Sequence, residues 1–194
     1  MKGQVLIILS VLLILFLFLV RNLALRNFLE EKEIEELEFI NLKEEMFISA
    51  NYYPENLEDF LKFARNSFSS RGKSFSCMLV SLYYPKIEEN KVLDLNVSFL
   101  NLLGHKIRNL SITFSFDNSS KIFYSVEDWE IVKTSFSFNI SSNENYTITI
   151  SFENYEEEIV IPFEIGKSKL LESVDFNLKN NFQMGDKLKA VLEF

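Results

Sequence analysis

The sequence predicts a mainly β fold with N-terminal helices: a single transmembrane helix extended into a helical stalk, a short amphipathic helix, and an antiparallel β-sandwich. Three observations support this fold class. Large apolar side chains run from Val5 to Val20 with only Ser10 between them. The next stretch, as far as Ala50, contains neither glycine nor proline. From Lys73 onward, apolar residues recur with a period of two between turn residues, which is typical of β-strands.

The apolar N-terminal run has the length of a membrane anchor. A hydrocarbon core of about 30 Å takes about 20 helical residues, and residues 4–25 supply them when the Arg21 guanidinium extends to the interface. A cleaved secretory signal is the alternative, but this run is long and no small-x-small cleavage site follows it. We predict a signal-anchor helix over residues 1–25 that contacts the membrane through residues 5–25.

Two more helical segments are predicted before the strands begin. Residues 26–50 form a stalk whose apolar positions share one broad side at helical spacing, namely Leu25, Leu29, Leu37, Ile40 and Phe47. Residues 51–72 form an amphipathic helix that begins near Pro54 and ends at Gly72. Its apolar side consists of Leu57, Phe60, Leu61, Ala64 and Phe68. This side is expected to pack on a sheet, because a membrane-surface helix would carry a basic polar face.

The head, residues 73–194, is predicted to be the sandwich. Its short strands alternate apolar and polar positions, with turn residues between them. The predicted strands cover residues 73–84, 92–100, 107–116, 134–140, 146–152, 158–165, 170–178 and 187–194. Asn101–His105 is predicted to be the turn between two early strands. Trp129 has two interpretations, a core position or an edge or loop position, and its acidic neighbours favour the second.

Composition excludes several function classes. The net charge of −8 leaves no basic stripe for a nucleic-acid backbone. The single cysteine, Cys77, rules out an internal disulfide and is expected to be a buried thiol, with an intermolecular bridge as the alternative. The single histidine, His105, is expected to be an exposed turn residue. No nucleophile elbow, phosphate loop, dinucleotide fingerprint or zinc spacing occurs in the sequence. We therefore predict a non-enzymatic protein with no catalytic, cofactor-binding or metal-binding residue.

The tripeptide Lys2-Gly3-Gln4 directly precedes the apolar run. It resembles the archaeal class III signal peptide, the signal of type IV pilin-like proteins, in which a basic residue and glycine precede the cut and glutamine opens the mature chain. The resemblance implies that a prepilin-type peptidase recognises Lys2 and Gly3, and that Gln4 becomes the new N-terminus with the helix retained. The sequence departs from the family at Ile8, where such pilins usually carry a glutamate associated with subunit docking. This departure favours a minor or pilin-like protein over a major pilin.

Residues 93–165 resemble immunoglobulin-like domains of archaeal cell-surface proteins. The resemblance rests on a strand followed by Asn-x-x-Gly at residues 101–104, a Leu-Ser-Ile-Thr-Phe strand at 110–114 and a Tyr-Thr-Ile-Thr-Ile strand at 146–150. It implies no catalytic residues. An anchor helix, a helical stalk and a β-sandwich head together form the layout of archaellins and many archaeal pilins, which agrees with the signal tripeptide.

The side of the membrane is predicted from glycosylation sequons rather than from charge. Lys2 lies before the apolar run, and Arg21 and Arg26 lie after it, so the basic residues are nearly balanced. Five Asn-x-Ser/Thr sequons occur in the head, and glycosylation there would require an extracytoplasmic head. Asn118 and Asn145 are expected in turns, and the other three are expected in or beside strands. The five candidate glycosylation sites are Asn96, Asn109, Asn118, Asn139 and Asn145.

Two functional hypotheses follow. The first is a cell-surface structural or accessory subunit of an archaeal type IV pilus-like filament or its assembly platform, which binds further copies or other pilin-like subunits through the N-terminal helix. It predicts a chain that begins at Gln4. The second is a single-pass anchored immunoglobulin-like module that binds envelope glycans or a protein partner through its head, which predicts a chain that begins at Met1. A cytoplasmic head that serves a membrane complex stays open as a third, because the basic residues are nearly balanced.

Overall fold

The computed structural model describes residues 2–87, 92–140 and 142–193, and the side chains of residues 2–12, 14 and 15 lie outside the description. The described part of the chain contains two α-helices and nine strands, with a 3₁₀ turn at Pro54–Asn56 between the helices. Their bounds are α1 Lys2–Tyr52, α2 Leu57–Ser70, β1 Ser74–Tyr84, β2 Val92–Leu102, β3 Ile107–Phe114, β4 Ser119–Val126, β5 Ile131–Asn139, β6 Glu144–Phe152, β7 Tyr155–Phe163, β8 Lys169–Lys179 and β9 Gln183–Glu193.

The chain divides into two compact units, the N-terminal unit Met1–Leu42 and the C-terminal unit Lys43–Phe194. The described part of the N-terminal unit is helical throughout and belongs to α1. The C-terminal unit holds the last turns of α1, all of α2 and the nine described strands. This secondary structure confirms a mainly β protein with two antiparallel sheets, a long N-terminal helix and a short second helix.

Helix α2 forms where the sequence predicts the amphipathic helix. Glu58 and Asp59 lie in its first turn, where the positive end of the helix dipole favours carboxylates. Gly72 follows the helix with a left-handed φ of 75°, a conformation that glycine adopts without steric cost. Phe60 is half-buried. The buried side of α2 consists of Leu57, Leu61, Ala64 and Phe68.

The nine described strands form two antiparallel sheets. The five-stranded sheet has the order β5-β2-β1-β8-β9, and the four-stranded sheet has the order β4-β3-β6-β7. Hairpin pairs β1–β2, β3–β4, β6–β7 and β8–β9 each stay within one sheet, and the other connections cross to the opposite sheet. Because the chain returns repeatedly to each sheet, both sheets contribute to the same core.

The shared core is rich in aromatic rings from both sheets. The inward residues of β3, β5 and β6 are buried, as the predicted alternation requires. Tyr84 of β1 and Phe163 of β7 meet with ring centroids 4.7 Å apart. Phe114 of β3 and Phe138 of β5 meet at the same distance. Each such pair contributes about 0.5–1.5 kcal/mol beyond the area it buries.

The central strand β1 is covered on both faces. Val80 and Leu82 belong to the shared core. On the opposite face, Phe75 packs against Phe68 of α2 with ring centroids 5.7 Å apart. Cys77 lies on this helix-covered face, because alternate residues of a strand share a side. It is fully buried, and burial raises the pKa of its thiol well above the usual range, so the prediction of a buried thiol is confirmed.

Strand β4 is not among the predicted strands. Ile122 and Tyr124 are exposed on one face of this strand, and Phe123 is half-buried on the other. Apolar side chains on both faces hide the alternation that marks the other strands. The strand predicted over residues 107–116 ends at Phe114, because residues 115–118 form the turn into β4.

Other strand bounds and one aromatic residue also differ from the predictions. Strands β5, β7 and β9 begin three or more residues earlier than expected, because backbone pairing extends beyond the residues that show apolar alternation. In β7, for example, residues 156–158 are all glutamate and pair with residues 149–151 of β6. Trp129 lies in the turn between β4 and β5 with a φ of 70°, so it takes the edge or loop position and is not a core residue.

Candidate assembly and modification sites

The N-terminal unit exposes large apolar side chains along most of its described helix, although Glu35 and Leu42 are buried. Four of the five stalk positions predicted to share one side are among the exposed residues. Large apolar side chains exposed on a helix are buried when lipid or other protein surrounds it. The exposed apolar residues described in this unit are Leu13, Phe16, Leu17, Phe18, Leu19, Val20, Leu23, Leu25, Phe28, Leu29, Ile34, Leu37 and Ile40.

Polar groups are interspersed with apolar ones in the second half of this unit. Two ion pairs link residues one helical turn apart, Arg26–Glu30 at 2.8 Å and Lys32–Glu36 at 3.5 Å. Pairs at this spacing stabilise a helix by about 0.3–0.5 kcal/mol each. From residue 13 to residue 40 the helix rises about 40 Å at 1.5 Å per residue. The exposed apolar surface therefore extends well beyond the polar residues that follow the predicted anchor.

The signal tripeptide lies at the start of α1. The backbones of Lys2, Gly3 and Gln4 are helical, but their side chains, like that of Ile8, lie outside the described residues. Among the residues that the structure describes, no helix combines the length and the apolar character needed to span a membrane. The processing signal and the anchor remain predictions.

All five sequon asparagines are exposed. Asn118 lies in the turn between β3 and β4, as predicted, and Asn96, Asn109 and Asn139 lie within strands. Asn145 was also expected in a turn, but it is the second residue of β6 and pairs with Pro162 of β7. That prediction was wrong because the polar residues 142–145 have the composition of a turn, although the β6–β7 pairing begins among them.

The fully buried Asn101 side chain connects two loops of the C-terminal unit. Its Nδ2 group donates to the carbonyl oxygens of His105, Val126 and Glu127 at 2.9, 3.2 and 3.0 Å. Its Oδ1 atom accepts the Leu103 amide at 3.0 Å. The turn between β2 and β3 is thereby held against the residues that follow β4. Asn101 was predicted to be in the turn and to have no role. It belongs to β2 instead, and the turn begins at Leu103.

Arg65 of α2 connects the helix to the same region. Its guanidinium donates two hydrogen bonds to the Asp128 carboxylate, at 2.6 and 2.5 Å, and lies 4.6 Å from the centre of the Trp129 ring. The Gly104 amide also donates to Asp128, at 3.1 Å. Partial burial acts to raise the pKa of the Asp128 carboxyl, but the bonds from Arg65 and Gly104 outweigh it, so this pKa lies below its usual value. The bidentate pair fixes α2 at this end of the sheets.

Glu172 of β8 is a buried carboxyl with an unsatisfied oxygen. Its side chain is only 4% exposed. Ser81 donates to Oε1 at 3.3 Å, and Oε2 has no hydrogen-bond partner within the described ranges. Burial raises the pKa of Glu172 to about 7; the Ser81 bond opposes this shift and the nearby Glu55 carboxylate adds to it. Glu172 lies between Leu171 and Ser173, and no pattern in the sequence predicts that its side chain is buried.

A network of polar side chains connects β7 to the β8–β9 hairpin. The buried Glu157 carboxylate pairs with Lys187 at 3.0 Å and accepts hydrogen bonds from Tyr155 at 2.8 Å and from Ser173 at 3.1 Å. Burial acts to raise the pKa of Glu157, but these donors lower it below its usual value. Burial and the bond to Glu157 raise the pKa of Tyr155 well above its usual range. The pKa values of both groups are therefore shifted away from neutrality.

The single histidine and the acidic side chains were the remaining candidates for a metal site. His105 is exposed in the turn between β2 and β3, as predicted. Residues 2–87, 92–140 and 142–193 include no group of three or more histidine, cysteine, aspartate or glutamate side chains placed to hold a metal ion. Comparison with protein families, with curated proteins and with solved structures finds no match to this chain. Its own residues therefore carry the functional argument, above all the exposed apolar helix and the sequons.

Proposed function

We propose that this protein is a membrane-anchored, pilin-like subunit, structural or accessory, of an archaeal type IV pilus-like filament or its assembly platform. The exposed apolar helix of the N-terminal unit carries the proposal. Leu37 and Ile40 are 58% and 51% exposed, although they follow the predicted membrane segment by more than ten residues. Apolar surface of this extent is buried when several copies of a helix pack together.

A membrane anchor alone leaves part of this helix without a partner. A bilayer core takes about 20 helical residues, and residues 5–25 supply them. Exposed apolar residues continue after that span. They are not required there by the helix itself, because the ion pairs place charged side chains at exposed positions of the same segment. A bundle of helices from several copies would cover both stretches, which favours the subunit over the single-pass binding module. The apolar residues beyond the span that support this argument are Leu29, Ile34, Leu37 and Ile40.

The head is proposed to be an immunoglobulin-like β-sandwich. In such domains strands A, B and E are neighbours in one sheet, and C, F and G are neighbours in the other. Strands β1, β2 and β5 have the first arrangement, and β3, β6 and β7 have the second, with β4 beside β3. The β8–β9 hairpin extends the first sheet next to β1. This strand order supports the resemblance noted for residues 93–165.

The head is proposed to lie outside the cell. The five sequon asparagines are exposed, as acceptors of a glycan must be. Asn101, which is buried, does not belong to a sequon. The exposure of all five candidate acceptors supports an extracytoplasmic head. The basic residues on the two sides of the apolar run are nearly balanced and favour neither orientation.

Mass spectrometry of the N-terminal peptide tests the proposed processing. In the full chain extracted from its membrane, we expect Gln4 to be the first residue, because cleavage after Gly3 retains the apolar helix. Gly3→Leu should block the cut and leave Met1 or Lys2 at the start, while Ser10→Ala, further along the same helix, should be cleaved normally. A wild-type chain that begins at Met1 would contradict the proposal and indicate the anchored binding module.

A second prediction concerns self-association of the solubilised chain. We expect Leu29→Asn combined with Leu37→Asn to weaken it at least tenfold, about 1.4 kcal/mol, because burial of each leucine contributes about 1.5–3 kcal/mol. Phe63→Asn is the matched control, because Phe63 is 68% exposed but lies on α2. Analytical ultracentrifugation at several protein concentrations measures the association. If the double variant associated as strongly as the parent, the helix would not be the contact surface.

A further inference from the structure

Strand β4 is an edge strand with little protection against pairing. It lies at one end of the four-stranded sheet. Ile122 and Tyr124 point away from the core and are 56% and 81% exposed. Lys121 is the one charged residue among the eight of this strand. An edge that combines free backbone groups with exposed apolar side chains favours pairing with a second chain.

The other three edge strands of the described sheets carry polar protection. Strand β7 has three consecutive glutamates at residues 156–158 and a proline at Pro162. Strand β9 has charged residues at Asp186, Lys187 and Lys189. Strand β5 presents polar side chains to solvent at alternate positions 133, 135 and 137. Charged residues and proline are the usual means of blocking an edge. Strand β4 has fewer charged residues than β7 and β9, and unlike β5 it exposes two large apolar side chains.

Two sequon asparagines flank the exposed pair of β4. Asn118 immediately precedes the strand. Asn109 of β3 lies opposite Tyr124, because the residues on either side of Asn109 pair with residues 125 and 123. Both asparagines are exposed. A group as large as an oligosaccharide attached to either one would therefore reach the exposed part of β4.

The backbones of these two asparagines set them apart from the other candidate acceptors. Asn109 and Asn118 both have a φ of 54°, and neither takes part in a described cross-strand pair. Asn96, Asn139 and Asn145 are all paired within their sheets. An asparagine outside the ladder can enter the acceptor site of a glycosylating enzyme at a lower free-energy cost, because no pairing between strands has to break first.

We propose that Asn109 and Asn118 carry N-linked oligosaccharides and that these glycans cover the exposed edge of β4. The inference rests on the extracytoplasmic head of the proposed function. The donor is an oligosaccharide activated by a lipid phosphate. The asparagine Nδ2 forms a bond to C1 of the first sugar, the bond from C1 to the phosphate oxygen breaks, the lipid phosphate leaves with the electron pair, and the amide nitrogen loses one proton. The bulky, hydrated glycan then keeps other chains from the strand.

Glycopeptide mass spectrometry of the full chain, extracted from its own membrane, tests the modification. We expect oligosaccharide mass on the peptides that contain Asn109 and Asn118. Ser111→Ala and Ser120→Ala each remove one sequon but keep the asparagine, which tolerates a positive φ better than most residues, and each should abolish the corresponding mass. Unmodified Asn109 and Asn118 would overturn the inference. A chain that nevertheless begins at Gln4 would leave the proposed function standing.

Self-association of the unglycosylated form tests the covering role. The Leu29→Asn/Leu37→Asn background removes the helix contact, so association through β4 can be measured alone. Adding Ser111→Ala and Ser120→Ala should lower the concentration at which dimers form at least tenfold, and a further Tyr124→Thr should reverse this effect. Ser98→Ala is the matched control, because it removes the Asn96 sequon on the five-stranded sheet. Equal dimerisation with and without the two glycans would overturn the covering role.

Discussion

Asn101→Ala should lower the free energy of unfolding by about 3–5 kcal/mol. The substitution removes a fully buried amide that makes hydrogen bonds to four backbone groups. Each buried group left without a partner costs about 1–3 kcal/mol, and part of this cost is relieved where water can reach the loop. The loss is large because alanine supplies neither the donor nor the acceptor that the asparagine amide provides.

Denaturant unfolding followed by fluorescence measures this effect directly. Trp129 is the single tryptophan of the chain, and its amide donates to the Asn101 carbonyl at 2.7 Å, so the signal arises beside the substituted residue. Asn143→Ala is the matched control, because the exposed Asn143 side chain accepts one hydrogen bond, from the Ile165 amide at 3.0 Å. We expect the control to lose about 0.5–1.5 kcal/mol. A loss of that size in Asn101→Ala would show that water replaces the buried amide.

Glu172→Gln should stabilise the protein by about 3 kcal/mol above pH 7 and have little effect near pH 4. The folded pKa of Glu172, about 7, lies above that of the unfolded chain. Between about pH 4.5 and pH 7 the folded state therefore binds more protons, and the free energy of unfolding falls as the pH rises through this window. Glutamine stays neutral at every pH, so the variant should not show this fall.

Two further variants separate this effect from general changes of surface charge. Ser81→Ala removes the hydrogen bond to Oε1, which should destabilise the ionised form, so the fall should continue to a higher pH and be larger in total. Glu153→Gln, in the exposed turn between β6 and β7, should change the free energy of unfolding by less than about 0.5 kcal/mol at each pH. Unfolding curves between pH 4 and pH 8 provide the comparison. Parallel pH dependences of the parent and Glu172→Gln would contradict the assignment.

Elements with a clear period could be predicted from the sequence, and those without one could not. The alternation of Phe136, Phe138 and Ile140, which are all buried, located β5, although the strand begins at Ile131 and ends at Asn139. Helix α2 followed from its apolar spacing for the same reason. Strand β4 escaped prediction because Tyr124 and Ile122 are exposed at a sheet edge, where burial imposes no pattern.

Single residues of the candidate sites depend on tertiary context that a linear pattern does not contain. Glu172 is buried because its strand lies inside a five-stranded sheet, not because of its neighbours in the sequence. Asn145 has a turn-like composition around it, but the register of β6 with β7 decides its place. Asn109 was predicted in or beside a strand and lies within β3, but its φ is positive and it has no partner in the described pairing of β3 with β4. The sequons were visible in the sequence, whereas their relation to an unprotected edge was not.

The pairing of β1 has a consequence for the time the chain takes to fold. One neighbour, β2, follows it closely, but the other, β8, lies about 100 residues further along the chain, as in the pair Cys77–Phe176. At a synthesis rate of about 5–20 residues per second, β1 waits about 5–20 seconds for this second partner. During that interval one edge of the apolar segment from Phe75 to Tyr84 has no strand beside it. A chaperone that binds extended apolar chain would be needed most in these seconds, while the ribosome is still translating β2 to β7.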